Sequence, residues 1–349
     1  MATKKICVLF TILLSMVGTK ASAYDFAAKN DDGVMIYYNF IKVGTELEIT
    51  SGEENYKGDL KIPQYVTYEG VERAVTVVGK KAFFGNPELI SIYLPEGITE
   101  IGHSAFGSCD SLISIRIPST LTRIETYILD SQKTIVNFII DDIAAWCNVE
   151  RSGKWMDNGH VIPEGWNLCD KDGNIVSDLV ITSPIVAGGF FKCKSLKTVT
   201  LDNIETTGSS AFRKCNLTSV TIGKNVKSLS GTAFTDNKLL ASVYSLSENP
   251  FPIKDEDYEY DYNKVFSSDT YQYGTLYVPI GTKEIYATTE GWRQFRNIEE
   301  FDVSGISTTK TDERVCETYT INGIRATRSS RGVIIIKHNN GTTKKILVK

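Results

Sequence analysis

The stretch IGHSAFGSCDSLISIRIP, residues 101–118, decides the fold because its parts recur along the chain. Its Gly-x-x-Ala-Phe segment occurs again at residues 79–83 and 208–212, and weaker copies end at residues 129, 190 and 234. The aromatic or leucine residue that closes each copy therefore repeats every 23 residues in a first run and every 22 residues in a second run. A repeat of this length is typical of a solenoid, in which each repeat forms one coil.

Each copy is followed by apolar residues in the spacing L-x-x-L-x-L, as at Leu112, Ile115 and Ile117. The alternation at the end of this pattern predicts a short strand with one buried face. One unit cannot bury its apolar face alone, so the units must stack, with the phenylalanine between coils and the glycine permitting a tight turn. Further strand-like segments at 60–62, 179–181 and 276–278 bring the expectation to about nine strands in one parallel ladder.

The full motif I-G-x-x-A-F-x-x-C-x-x-L-x-x-I-x-I-P, met almost completely by residues 101–118, resembles the BspA-type leucine-rich repeat family of exported bacterial proteins. Residues 58–63, 142–147 and 276–292 extend the resemblance, which covers residues 25–300. It implies a β-rich solenoid of 22–23-residue leucine-rich repeats with one parallel strand per coil, and a role in surface interaction or adhesion. It implies no particular ligand.

The N-terminal residues have the pattern of a signal peptide. Lys4 and Lys5 precede an apolar stretch at residues 6–17, and an A-x-A cleavage site follows at residues 21–23. We therefore expect residues 1–23 to be removed and the protein to be exported, either secreted or attached to the outer cell surface. No later stretch is apolar enough to span a membrane, so no transmembrane segment is expected.

The remaining chain divides by its repeat phase. We expect an N-terminal cap and first coil at residues 24–75 and the solenoid at 76–300, interrupted by an insertion at 141–178. Residues 301–349 predict a linker and a small C-terminal β module. This tail resembles C-terminal β modules of exported bacterial proteins, which implies a role in sorting or attachment. The alternative is a strand cap packed on the solenoid.

Composition and missing motifs exclude several functions. The formal net charge of −4 argues against a nucleic-acid partner. No phosphate-binding loop, dinucleotide fingerprint or zinc-spaced cluster occurs, so we expect no cofactor, no metal and no enzyme activity. Ser104 lies in a segment similar to a nucleophile elbow, but Phe106 stands where that elbow needs glycine. We expect a monomer.

Cysteine and tryptophan residues leave alternatives open. Three cysteines share the position three residues after the aromatic residue, where asparagine or glutamine stands in other repeats, which predicts buried free thiols bonded to turn backbone; they are Cys109, Cys193 and Cys215. In the insertion, Cys147 and Cys169 are either free or paired. The insertion's tryptophans, Trp146, Trp155 and Trp166, either cover an exposed flank of the core or form a sugar-stacking platform. The acidic, tyrosine-rich residues 255–262 are either a solvated loop or a calcium site.

The strands of a solenoid line one concave sheet, so one outward residue per coil forms a column. From the strand pattern this column is Lys61, Tyr93, Arg116, Ile139, Val180, Thr200, Thr221, Tyr244 and Tyr277. Tyrosine and arginine are enriched at interface hot spots, which makes Tyr93, Arg116 and Tyr244 the candidate ligand-binding residues. The alternative is that they only satisfy strand propensity.

The sequence thus predicts a secreted or cell-surface binding protein, an adhesin or interaction scaffold. Its concave face would bind a protein or polysaccharide of the host or of a bacterial surface. The alternative function is an accessory module that binds polymer for a carbohydrate-active or peptidase partner enzyme.

Overall fold

The computed structural model of the protein describes residues 24–134, 136–151, 165–253 and 264–303, and the backbone of residues 315–320, 332–338 and 343–348. The signal-peptide prediction, Trp155 and the acidic stretch at 255–262 lie outside the described residues.

Strands dominate the described chain and are numbered here in chain order. Up to residue 151 they are β1 (Phe26–Lys29), β2 (Met35–Ile41), β3 (Glu46–Thr50), β4 (Gly58–Lys61), β5 (Tyr65–Tyr68), β6 (Val71–Val78), β7 (Leu89–Tyr93), β8 (Glu100–Ile101), β9 (Ser114–Ile117), β10 (Arg123–Ile124), β11 (Val136–Ile140) and β12 (Glu150–Arg151). After residue 165 they are β13 (Trp166–Cys169), β14 (Asp178–Ile181), β15 (Thr198–Leu201), β16 (Ser219–Ile222), β17 (Ser242–Ser245), β18 (Thr275–Pro279), β19 (Asn297–Phe301), β20 (Val315–Thr320), β21 (Gly332–His338) and β22 (Thr343–Val348).

Within the residues that the structure describes, helices are few and short. They are α1 (Ile143–Asn148), α2 (Ser268–Tyr273) and α3 (Lys283–Thr288), with 3₁₀ turns at Lys42–Gly44 and Trp292–Gln294. No helix within the described ranges has the length and apolar character that a membrane span requires.

Two parallel sheets form the faces expected from the repeats. The first ladder contains strands β4, β7, β9, β11 and β13, and the second ladder contains strands β14 to β19 in chain order. A third sheet begins with the antiparallel strands β1, β2 and β3 and continues in parallel through β6, β8, β10 and β12, with β5 antiparallel to β6. Strands β20 to β22 form a separate antiparallel sheet, within the residues for which the sequence predicts a small β module.

The expectation of about nine strands in one ladder is wrong, because the ladder divides inside the insertion. Strand β13 takes the place after β11 and then turns back, with Asp170 N donating to Asn174 O at 2.9 Å. Strand β14 therefore starts a new sheet and pairs with β15. Trp166 and its neighbours carry no repeat motif, so the sequence pattern gave no signal for strand β13.

Buried phenylalanines stack from coil to coil through the middle of the solenoid. Phe83 and Phe106 have ring centroids 5.5 Å apart with planes 6° from parallel. In the second run, successive centroids are 5.3 to 5.5 Å apart along Phe190, Phe212, Phe234 and Phe266. The sequence missed Phe266 because residues 254–263 interrupt the 22-residue period before it.

Tryptophan joins the two halves of the core. The ring of Trp166 lies between Phe138, at 5.1 Å, and Phe190, at 6.3 Å. The indole nitrogens of Trp146 and Trp166 donate to the carbonyls of Gly189 and Phe191, each at 2.9 Å. The interpretation of these two tryptophans as cover for the core is therefore confirmed, and one hydrophobic cluster extends over both ladders.

Glycine before the Ala-Phe pair is required for close packing of coils. A Cβ atom on Gly102 would lie 2.7 Å from Lys80 N, and one on Gly208 would lie 2.4 Å from the carbonyl carbon of Val186. The left-handed backbone of the turn lies instead at other residues, such as Ser104 with φ of 54°. The expected glycine is thus needed at this position, but for backbone approach and not for a positive φ.

We predict that Phe106→Ala lowers the free energy of unfolding by about 3–5 kcal/mol, because it opens a cavity between two fully packed coils. Phe84→Ala is the matched control: this neighbouring ring is 39% exposed, so the loss should be about 1 kcal/mol or less. Denaturant unfolding of both variants measures the difference. Equal losses would contradict the placement of Phe106 in the stack.

Candidate binding face

The outward residues of the first ladder form a row in the order expected from the sequence. Lys61 pairs with Tyr93, Tyr93 with Arg116, and Arg116 with Ile139. The row then continues to Cys169 of strand β13, which is buried, and not to Val180 as the single-ladder reading implied. Tyr93 is 44% exposed and is the large aromatic residue that this row presents to solvent.

Arg116 is held in place by a carboxylate and a carbonyl group. Its Nη2 donates to both carboxylate oxygens of Asp141, at 2.8 and 2.7 Å, and its Nε donates to Oδ2 at 3.2 Å. Nη1 donates to the carbonyl of Lys171 at 3.1 Å. Because both partners of this ion pair are about 30% exposed, it contributes at most about 1 kcal/mol to stability. Its structural effect is to fix the guanidinium group in one orientation.

The fixed guanidinium group of Arg116 lies over the ring of Tyr93, with Cζ 5.5 Å from the ring centroid. A cation–π contact of this kind favours the ring orientation seen here. Tyr93 therefore has an exposed ring whose rotamer is stabilised by its neighbour on the next strand. The structure brings these two candidate residues together.

Tyr244 lies on the second ladder and does not have the exposed ring that we expected. Its ring stacks on Tyr277 at 4.6 Å and meets the edge of Phe301 at 5.4 Å, which leaves Tyr244 7% exposed. Burial also raises the pKa of its hydroxyl to about 12. The repeat pattern predicts the strand register correctly, but it does not indicate that Phe301 of strand β19 covers the Tyr244 ring. A ligand-binding role for Tyr244 stays a prediction.

A cleft of about 210 Å³ opens beside Tyr93, between the N-terminal hairpin and the first ladder. Its lining combines two carboxylates, an amide, an amine, an aromatic ring and two apolar residues: Asn30, Asp31, Asp32, Lys61, Ile62, Pro63 and Tyr93. No sequence pattern indicates this cleft, because the hairpin turn at residues 30–33 lies outside the repeats and carries no motif.

Two of the three cysteines at the shared position bond turn backbone, as predicted. Cys109 Sγ donates to the carbonyl of Phe83 at 2.9 Å, and Cys215 Sγ donates to that of Phe190 at 3.0 Å. The third, Cys193, has its Sγ atom 3.5 Å from Ser195 Oγ. Asn237 repeats the backbone bond, with Nδ2 donating to Phe212 O of the preceding coil at 2.8 Å. Burial raises the pKa of the Cys109 thiol to about 11. These residues therefore stabilise turns and are poor nucleophiles.

The other side chains that could react chemically are buried or hydrogen-bonded within the solenoid. Cys147 and Cys169 are both free thiols and are buried. Ser104 is buried in the turn before Phe106, and His103 Nδ1 lies 2.8 Å from Thr126 Oγ1 of the next coil. Within the described residues, no three His, Cys, Asp or Glu side chains are grouped so that they could hold a metal ion.

The chain is similar to known leucine-rich repeat proteins. Residues 66–145 and 179–255 match the family model of the BspA type leucine-rich repeat region in six copies. A leucine-rich cell surface protein from Faecalibacterium prausnitzii is 17% identical, with 79% of this chain and 76% of that chain covered and a TM-score of 0.44. The leucine-rich repeat protein of T. pallidum is 18% identical, with coverage of 60% and 83% and a TM-score of 0.33. A search of curated proteins found no match.

We predict that the five described thiols do not react with a thiol reagent at about pH 8 while the protein is folded, because burial disfavours the thiolate. After unfolding without reductant, at least four of the six cysteines that follow residue 23 should titrate as free thiols. The measurement is a thiol titration before and after denaturant. A value near zero in the unfolded protein would mean that a disulfide framework holds the coils.

Proposed function

We propose that the chain, whose residues 66–145 and 179–255 match the BspA-type leucine-rich repeat model, is an exported binding module, secreted or held at the cell surface, that acts by binding and not by catalysis. The binding surface is the solvent-exposed side of the first ladder, the expected concave face, at Tyr93 and Arg116. Its partner is a protein or polysaccharide of a host or bacterial surface, bound by one copy of the chain. The signal-peptide pattern at residues 1–23 supports export and stays a prediction.

The observation that carries this proposal is the exposed ring of Tyr93 held by the fixed guanidinium group of Arg116. Aromatic contact surface with few rotatable bonds costs little conformational entropy on binding, and a ring already fixed costs less. Tyr93 is also outward on its strand, so the packed core does not explain its residue type. The neighbouring outward row of the second ladder has Val180, Thr200 and Thr221, which present less contact area.

Charge further defines the interaction. Because Asp141 neutralises Arg116, the face presents the aromatic ring and not a bare positive charge. Binding through Tyr93 should therefore depend little on ionic strength, in contrast to binding through an unpaired surface arginine.

We predict that Tyr93→Ala weakens binding at least tenfold, because truncation of a hot-spot aromatic costs about 1–2 kcal/mol or more. Arg116→Ala should weaken binding less, since it only releases the ring. The measurement is a screen of residues 24–349 against extracellular-matrix proteins and glycans, followed by titration of each variant against the ligand found. Added salt should change the affinity by less than about threefold.

The matched controls are Tyr65→Ala and Arg123→Ala. Tyr65 is 52% exposed on strand β5 and the side chain of Arg123 is 45% exposed on strand β10, so both variants remove a similar group from another face. Both should keep the wild-type affinity and thermal stability. The proposal is wrong if Tyr93→Ala keeps its fold and its affinity, or if the controls lose as much.

A further inference from the structure

We propose that the cleft beside Tyr93 binds one neutral sugar ring, so that the ligand of this face is a glycan with uncharged hexose residues. The inference rests on the proposed function, because it assigns a ligand class to the same exposed ring. Three features of the cleft support it: the rigid turn and mixed lining, the volume, and the charges on the rim.

The rim of the cleft is a rigid part of the fold. The side chain of Asn30 is buried at the centre of the β1–β2 turn, where Oδ1 accepts from the backbone of Asp32 at 3.1 Å and of Val34 at 2.8 Å. Its Nδ2 donates to the carbonyl of Lys61 at 2.8 Å, which ties the turn to the first strand of the ladder. The backbone that carries Asp31 and Asp32 is thus fixed before any ligand arrives.

The chemistry of the lining matches the two kinds of surface that a pyranose has. The ring of Tyr93 and the apolar Ile62 and Pro63 can cover a C–H face of the sugar. The carboxylates accept hydrogen bonds from hydroxyl groups, and the amine of Lys61 donates them. The cleft thus offers an apolar surface and hydrogen-bonding groups to the same ligand.

The size of the cleft matches one sugar ring. A volume of about 210 Å³ is about seven times the share of one water in the liquid, which suits a molecule of roughly a dozen heavy atoms. It is below the usual range for drug-sized or cofactor ligands. A longer glycan would place one residue in the cleft and extend along the row of strands.

Charge on the rim disfavours acidic sugars. Asp31 and Asp32 outnumber Lys61, whose Nζ lies 3.7 Å from Asp32 Oδ2, and Arg116 is already paired with Asp141. The local balance is therefore negative, which repels uronates and phosphorylated sugars. A neutral hexose satisfies the rim through its hydroxyl groups without adding charge.

The test uses the chain from residue 24 to 349 and four probes: the methyl glycosides of glucose, galactose, mannose and N-acetylglucosamine. Binding is measured by saturation-transfer NMR and by titration, with dissociation constants in the millimolar range expected for one ring. Tyr93→Ala and Asp32→Asn should each weaken the bound glycoside at least fivefold, while Tyr93→Phe should keep most of the affinity because the ring remains. Glucuronate should bind more weakly than the neutral glycosides.

The controls match each variant in type and exposure. Asp110→Asn changes an exposed aspartate that is paired with Lys133 at 2.6 Å, as Asp32 is paired with Lys61, and Tyr65→Ala removes an exposed tyrosine elsewhere. Neither should change glycoside binding, and thermal unfolding checks that every variant folds. If a glycoside binds but Tyr93→Ala and Asp32→Asn leave its affinity unchanged, the sugar site lies elsewhere and the inference is wrong.

Two further outcomes separate this inference from the proposed function. If no glycoside binds while a macromolecule still binds through Tyr93, the sugar assignment fails and the proposed function stands. If Nα-acetyl-lysine amide, whose side chain keeps its charge, binds the cleft in place of the glycosides, the ligand is a basic peptide and the inference is overturned. Loss of Tyr93-dependent binding to every macromolecule, with glycoside binding intact, would instead refute the proposed macromolecular function alone.

Discussion

A buried phenylalanine ring from one coil packs face to face on the ring of the next, and the rest of the solenoid depends on this contact. The ring centroids are 5.3 to 5.5 Å apart where phenylalanines follow one another, close to the spacing of hydrogen-bonded strands. The ring contact and the strand ladder therefore set the same thickness for a coil. Because each coil contacts only its neighbours, each ring is buried by the coils on either side of it and no coil is stable alone.

The same contact accounts for a turn that would be strained in isolation. In each full turn two residues have left-handed backbone, as at Ser104 and Ser108, and this conformation costs non-glycine residues about 1 kcal/mol or more apiece. The cost is offset by backbone bonds to the following coil, since Phe106 N donates to Ile128 O at 2.9 Å and Ser108 N donates to Asp130 O at 2.8 Å. The turn is therefore stable only inside the stack. Its demands fall on the inner residues, so outward strand residues such as Tyr93 can vary with function.

The repeat fold could be predicted from the sequence because coil contacts are local and periodic. The pairing of Tyr93 with Arg116 follows directly from the 23-residue period. The division of the ladder could not be predicted, since Trp166 takes an aromatic place in the core without the surrounding motif. The burial of Tyr244 could not be predicted for a related reason: Phe301, which covers it, comes from a strand that lies outside the repeat pattern. The cleft depends on the non-repetitive hairpin turn at residues 30–33, so no periodicity indicates it.

The break between the ladders gives the two parts of the outer face different chemistry. Trp166 keeps the core continuous across the break, so the coils on both sides remain one stack although their strands do not pair. The first ladder carries Tyr93, the paired Arg116 and the N-terminal cleft, whereas the second carries a row of valine and threonine that continues into the stacked Tyr244 and Tyr277. The core holds the proposed site rigid from behind, and the Asn30 turn holds it rigid from the side. A ring fixed on both sides loses little entropy when a ligand covers it, which is the physical reason to place recognition at this end of the solenoid.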